Sequence, residues 1–177
     1  MKTFAIPAAA LAVSLVASPL FAQSTDTLQY AIYGGAGVSS DDREANDHTQ
    51  LAIGMMYKVT NSPLVVGFDI AREGIKSDST WYRSNADRTA MSFNFLVGAN
   101  LYQSGTHRID AALLAGVREE AQSCRRSYLG YQCYADTAPN VDYTGNFGAV
   151  LTVSFDRFVI GARATSESTQ LLVGFRF

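Results

Sequence analysis

With 177 residues, the chain has the length of a single domain of ordinary size. Its 14 Lys and Arg side chains against 16 Asp and Glu leave a net charge of −2, which excludes the basic composition typical of a nucleic-acid-binding domain. Neither of the two cysteines has the further Cys or His neighbours that a zinc site needs. We therefore expect no cofactor, no metal and no nucleic-acid partner.

Residues 1–22 have the three-part layout of a secretory signal peptide: one positive charge at Lys2, an apolar stretch, and small residues up to Ala22. The segment is short for a membrane-spanning helix, contains prolines and has no basic flank on its far side. We expect cleavage after Ala22. This leaves residues 23–177 as one domain with 13 basic side chains (14 minus Lys2) and 16 acidic ones.

Beyond residue 26, apolar and polar residues alternate with the period of β-strands, and we find no apolar stripe of helical period. Eight strands are predicted, around residues 28–33, 51–59, 64–71, 91–100, 108–118, 143–155, 158–163 and 171–177. The predicted connections are long at 38–49, 75–87 and 119–140, and short at 60–63, 103–106, 156–157 and 166–168. An even number of strands allows the first and last to pair antiparallel, which would cover the edge of the final segment, LLVGFRF. The pattern predicts an all-β fold, an eight-stranded antiparallel up-and-down barrel.

The glycines indicate which face of this barrel is the interior. Most of them share the polar parity of the alternation: Gly35, Gly37, Gly54, Gly67, Gly98, Gly116, Gly148, Gly161 and Gly174, against Gly34 and Gly145 on the other parity. Glycine weakens strands, so a solvated outer face has no reason to collect it, whereas the narrow lumen of an eight-stranded barrel does. We therefore expect the polar face inside and the apolar face outside, as in a transmembrane barrel. A soluble carrier with an apolar interior, of the lipocalin kind, is the alternative.

The aromatic residues support the membrane barrel. Several fall at strand ends on the side of the short turns: Tyr30, Tyr57, Phe155, Phe158, Phe175 and Phe177. Trp and Tyr, and in barrels aromatic residues generally, form girdles where a membrane meets water.

The chain resembles the small eight-stranded outer-membrane barrels of the OmpA/OmpX type, on its signal peptide, tight turns, long loops and terminal Phe. The resemblance implies short periplasmic turns, longer extracellular loops and the outer membrane of a Gram-negative bacterium. It also implies that Phe175 and Phe177 form an address for the barrel-assembly machinery, although Leu172 stands where the fuller pattern prefers Gly. The implied surroundings are outer-membrane lipid and lipopolysaccharide, and we expect a monomer.

The lumen parity carries eight charged side chains: Lys58, Asp69, Glu73, Arg108, Asp110, Arg118, Arg163 and Arg176. Opposite charges in so narrow a space should pair, since an unpaired buried ion costs several kcal/mol. We expect a polar lumen occluded by these pairs. A narrow gated channel is the alternative, whereas a general porin needs about 16 strands.

The third long loop is the most distinctive surface segment. A disulfide between Cys124 and Cys133 is expected because an exported chain reaches an oxidising compartment. The bridge would hold a loop with candidate binding residues, joined by Trp81 of the second loop: Arg125, Arg126, Tyr128, Tyr131 and Tyr134. Tyr and Arg are enriched at binding hot spots. The loop therefore favours a structural or adhesion-like surface role with an extracellular ligand, and the alternative is a bridge that only stabilises the loop.

Enzymatic activity is not expected. The lipid A palmitoyltransferase, another eight-stranded barrel, also takes a His from its first loop and an Asp-Ser pair from its second. His48, Asp78 and Ser79 resemble that arrangement and could form a base and nucleophile acting on lipid A. We keep a lipid-modifying acyltransferase as an alternative function.

Overall fold

The computed structural model describes residues 29–40, 49–80, 83–121 and 141–177, with the side chains of 75–88 and 121 left out. Eight strands form one closed barrel in chain order. They are β1 (Tyr30–Ser39), β2 (Gln50–Lys58), β3 (Leu64–Thr80), β4 (Arg83–Ser104), β5 (His107–Ala121), β6 (Val141–Phe155), β7 (Phe158–Thr165) and β8 (Ser168–Arg176). The predicted fold is confirmed. The predicted signal peptide lies outside the described residues. Within the described residues, no helix is long and apolar enough to cross a membrane.

Closure occurs between the first and last strands. β1 pairs antiparallel with β8 from Ala31, opposite Arg176, to Ser39, opposite Ser168. The backbone of Phe177 also exchanges two hydrogen bonds of 2.9 Å with Tyr30. The edge of the LLVGFRF segment is therefore covered, as the alternation predicts.

Exposure alternates along the strands of the wall, as two pairs of neighbouring leucines show. Leu113 is 72% exposed while Leu114 is 2% exposed, and Leu171 is 76% exposed while Leu172 is 1% exposed. The large exposed side chains of the wall are mostly Phe, Leu, Val, Ile and Tyr, whereas the buried Arg, Asp, Glu, Asn and Gln side chains all lie in the interior, together with some apolar ones. The assignment of the polar parity to the interior is confirmed.

The prediction of a long loop at residues 75–87 was wrong. β3 runs to Thr80 and β4 begins at Arg83, so most of this segment is strand. The segment is rich in Ser, Asp and Asn and shows no alternation of apolar and polar residues, so strands were not apparent from the sequence. A ribbon beyond the barrel wall has no apolar face to bury and therefore needs no such alternation. β5 and β6 are also longer than predicted, reaching Ala121 and starting at Val141.

These long strands form two ribbons beyond the barrel wall. β2 pairs with β3 only as far as Arg72, and β5 pairs with β4 only from Ser92. The pairs from Ile75–Thr89 upwards therefore make a two-stranded extension, which we call the β3–β4 ribbon. The last pairs of β5 with β6, Glu119–Ala121 with Val141–Tyr143, make a shorter one. The end of the barrel with these ribbons is called the loop end below, and the other the turn end.

Candidate functional site

The sequence-predicted surface residues fall mostly in parts of the chain that the structure does not describe. His48, Trp81, Cys124, Arg125, Arg126, Tyr128, Tyr131, Cys133 and Tyr134 lie outside the described residues. Asp78 and Ser79 lie on β3 in the β3–β4 ribbon, and the positions of their side chains are not described. The hypotheses of a Cys124–Cys133 bridge, a binding loop and a His48-based catalytic site therefore stay predictions.

The largest charged cluster described in the interior joins side chains from opposite walls of the barrel. Asp69 and Glu73 are four residues apart on β3 and both point inward, since a strand repeats every two residues. Arg163 comes from β7, which is four strands away in a barrel of eight and therefore faces β3. We call these three residues the cross-barrel cluster. All three are at most 1% exposed.

The Arg163 guanidinium holds both carboxylates through short charge-assisted hydrogen bonds. Its Nε donates to Asp69 Oδ2 at 2.7 Å, and its Nη1 and Nη2 donate to Glu73 Oε2 and Oε1 at 2.6 and 2.8 Å. The Arg163–Glu73 contact is bidentate, the strongest geometry for this pair. Because it joins β7 to β3, the contact braces the barrel across its width.

Neutral polar side chains complete the coordination of the two carboxylates. Glu73 also accepts hydrogen bonds of 2.6–2.8 Å from Ser92, Asn146, Thr165 and Ser168, which makes six donors for one carboxylate. Asp69 accepts from Asn94 at 2.7 Å and from the hydroxyl of Tyr33 at 3.4 Å. Six donors exhaust the usual capacity of a carboxylate. Glu73 is therefore held in place as an anion, and its oxygens have little remaining capacity to contact a substrate.

A glycine makes room for a second ion pair above this cluster. β3 carries an irregularity between Arg72 and Ile75, where Gly74 has φ +72°. A Cβ on Gly74 would lie 2.7 Å from Oε2 of Glu167. Arg118 of β5 reaches over this space to Glu167, with Nη2 to Oε1 at 3.3 Å, and both side chains are partly exposed. We call this contact the rim pair.

The turn end holds a separate group of charges. Arg108 and Asp110 are both buried, lie two residues apart on β5, and contact each other at 2.7 Å. Asn100 donates to Asp110 at 2.8 Å. Arg176 donates to the carbonyl of Thr106 at 3.4 Å. We call Arg108 and Asp110 the turn-end pair.

The eight charged residues predicted for the lumen divide by burial. Six are buried: Asp69, Glu73, Arg108, Asp110, Arg163 and Arg176. Lys58 and Arg118 are half-buried near the two ends. Glu167, the partner of Arg118, was not among the predicted residues, since a single acidic residue in a short connection carries no recognisable signal.

Between the two charged ends lies a band of apolar side chains that sequence reasoning missed. It consists of Tyr33, Met56, Val65, Leu96, Ala112, Leu114, Val150 and Leu172, all 4% exposed or less. These residues come from seven of the eight strands, and on the remaining strand Gly161 is paired with Leu172. We call them the apolar layer. The parity of these positions was predicted, but their joint level in the barrel depends on strand register, which the sequence does not display.

Inward glycines give the bulky members of the layer their space. Leu172 is paired with Gly35 on one side, where its Cδ2 would lie 2.6 Å from an added Cβ. Leu96 is paired with Gly67, with 3.2 Å between its Cδ1 and an added Cβ. Tyr33 lies over Gly54 in the same way. The interior therefore alternates large side chains with glycines across neighbouring strands, and the outward Gly34 has no such contact.

Aromatic rings gather on the outer wall at the turn end. Tyr30 stacks on Phe177 with ring centroids 5.7 Å apart and lies 4.9 Å from Tyr57. Phe158 and Phe175 lie 5.4 Å apart. Together with Phe155, whose ring lies 5.4 Å from that of His107, these are the six residues from which a girdle was predicted. Among the described residues, no group of His, Cys, Asp and Glu is arranged to hold a metal ion.

No family model matches the sequence, and no curated protein matches it. Among solved structures, the barrel is similar to Ail, the attachment invasion locus protein of Yersinia pestis, with 14% identity and a TM-score of 0.49 over 84% of this chain and 97% of that chain. Ail in complex with the heparin analogue sucrose octasulfate gives 16% identity and a TM-score of 0.48 with the same coverage. We draw no conclusion about function from similarity at this level.

Proposed function

We propose that the chain is an integral barrel of the outer membrane of a Gram-negative bacterium, with an occluded interior and a surface-interaction role. The apolar outer wall supports the location, because a water-soluble protein rarely exposes so continuous an apolar surface. In this setting, lipid and lipopolysaccharide surround the wall. Phe175 and Phe177 serve as lipid anchors and as the signal for barrel assembly.

The observation that carries the surface role is the β3–β4 ribbon. Beyond Arg72 and Ser92, the described strands on either side no longer pair with it. A two-stranded ribbon is marginally stable in water by itself, and its backbone edges offer hydrogen bonds to another protein. β5 ends and β6 begins at the end of the barrel that carries the ribbon, so the third loop is attached there. Together the ribbon and this loop form the surface on which an extracellular ligand binds.

The test compares binding of intact cells, and of purified barrel in detergent, to host-cell surfaces. One variant replaces residues 77–87 by an Asn-Gly turn between the paired Lys76 and Arg88, which shortens the ribbon and keeps the barrel. Tyr131→Ala removes one aromatic anchor from the third loop. A two-residue insertion in the Gly105–Thr106 turn, at the opposite end, is the control.

We expect the shortened ribbon and Tyr131→Ala to weaken binding, and the control insertion to leave it unchanged. All variants should fractionate with the outer membrane and show different gel mobility before and after heating, as folded barrels do. Equal binding by all of them would exclude the surface role at this end. Recovery of the wild-type chain in the soluble periplasmic fraction would overturn the membrane location.

A further inference from the structure

The interior is layered along the barrel axis, and the layers differ in polarity and so in how well they can accommodate an ion. On β4 the inward residues run from the loop end to the turn end as Asn94, Leu96, Gly98 and Asn100, of which Asn100 is half-buried and donates to Asp110. On β8 they change from Gln170 to Leu172 to Arg176. On these two strands, polar side chains lie towards both ends and the apolar layer separates them. Water and ions that enter either end meet the same band of hydrocarbon.

We propose that the apolar layer, and not the ion pairs, is the barrier that keeps this barrel from conducting. This inference rests on the proposed occluded barrel and assigns the occlusion to named residues. Hydrophobic constrictions stop ions by excluding the water that an ion needs. Charged and polar side chains, in contrast, replace part of the hydration shell of a passing ion, as they do in channel filters.

The cross-barrel cluster shows why ion pairs alone make a poor seal. Asp69 and Glu73 against Arg163 leave one more negative charge than positive, and Ser, Thr and Asn side chains surround them. The net negative charge of the cluster favours cations over anions at this level of the barrel. The hydrocarbon of the apolar layer favours neither cations nor anions, so the layer resists both.

The geometry of the layer fits a seal. Its members come from seven strands. Leu172 is paired with two glycines, Gly35 and Gly161, and its Cδ2 occupies the space beside Gly35. Leu96 and Leu114 are paired on adjacent strands. Deleting methyl groups here would leave an apolar cavity, and apolar cavities of about 150 Å³ stay dry in proteins. Opening the layer therefore requires polar groups at these positions as well as smaller ones.

The test measures ion conductance of the refolded barrel in planar lipid bilayers. The first variant carries Leu96→Ser, Leu114→Ser and Leu172→Ser. Its matched control carries serine at the adjacent outward positions, Val97→Ser, Leu113→Ser and Leu171→Ser, which changes the same strands without changing the interior. Two further variants neutralise the charges: Asp69→Asn with Glu73→Gln and Arg163→Met, and separately Arg108→Met with Asp110→Leu.

We expect conductance of the inward serine variant to exceed that of wild type at least about tenfold, which corresponds to lowering the barrier by about 1.4 kcal/mol. The outward control and both neutralised variants should stay as silent as wild type. If the triple inward variant does not fold, as judged by heat-dependent gel mobility, Leu96→Ser with Leu114→Ser takes its place.

Conductance in either neutralised variant, or silence in a folded inward variant, would overturn the inference. Neither result would affect the surface role, which is measured by cell binding. Failure of every variant, wild type included, to insert into bilayers would instead contradict the proposed membrane barrel. The two proposals therefore fail on different measurements.

Discussion

The cross-barrel cluster and the turn-end pair both bury an arginine against carboxylate, but they join different parts of the chain. Arg163 links β7 to β3, two strands on opposite walls, through contacts of 2.6–2.8 Å to Asp69 and Glu73. Arg108 and Asp110 are two residues apart on β5. Burial alone would rank the two groups together, since all five residues are at most 1% exposed. The difference lies in how much of the barrel each contact holds in place.

The largest loss of stability is expected for Arg163→Met. Removing the guanidinium leaves two buried carboxylates without a cation and disconnects opposite walls, so the free energy of unfolding should fall by about 3–5 kcal/mol. Urea unfolding in detergent, followed by heat-dependent gel mobility, measures this. Ala164→Met, at an exposed position on the same strand, is the matched control and should change little.

A combined variant asks whether the unpaired charge causes that loss. With Asp69→Asn and Glu73→Gln added to Arg163→Met, no buried carboxylate remains in the cluster. Replacing a whole buried ion pair by neutral groups is often nearly neutral, so we expect recovery of roughly 2 kcal/mol relative to Arg163→Met alone. A triple variant less stable than the single one would show that the neutral amides cannot use this site, and would argue against unpaired charge as the cause.

A smaller effect is expected for Asp110→Asn at the turn end. The amide oxygen of Asn still accepts from Arg108, but the charge-assisted part of the bond is lost, which costs about 1–3 kcal/mol. The strand itself keeps both residues close, and the pair lies near the turn. The same urea titration compares this variant with Arg163→Met. A loss as large as that of Arg163→Met would show that bracing opposite walls adds nothing.

The sequence predicts which of these residues point inward, but not how they pair. Alternation places Asp69, Glu73 and Arg163 on one parity, and the excess of glycine on that parity identifies the interior. The contact between Arg163 and Glu73 joins residues 90 positions apart. It depends on the number of strands and on their register. Neither the alternation nor the charges reveal that these three residues lie at one level.

The apolar layer and the β3–β4 ribbon show two further limits of sequence reasoning. Leu96 and Leu172 are single apolar residues at inward positions that are otherwise mostly polar or Gly. Nothing in the sequence shows that they lie in one cluster, because that depends on strand register. The β3–β4 ribbon shows the opposite limit, because its strands form although their sequence has no alternation of apolar and polar residues. Alternation reports a wall with two different surroundings, so it is informative in the closed part of the barrel and silent in the ribbon beyond it.

The smallest effect is expected for the rim pair, which joins β5 to the β7–β8 connection but is open to water. The Arg118 and Glu167 side chains are 12% and 24% exposed, and their contact is 3.3 Å. Exposed ion pairs contribute about 0–1 kcal/mol, so Glu167→Gln should lower the free energy of unfolding by less than about 1 kcal/mol.

The backbone carbonyl of Glu167, which accepts from Ser40 at 2.8 Å, is unchanged by the substitution. At about 1 M salt the Debye length is near 3 Å, so the difference from wild type should disappear. Glu120→Gln, an exposed change on β5, is the control. A loss that persists at high salt would mean that Glu167 acts through its fit beside Gly74, and the rim would then resemble the cross-barrel cluster more than its exposure suggests.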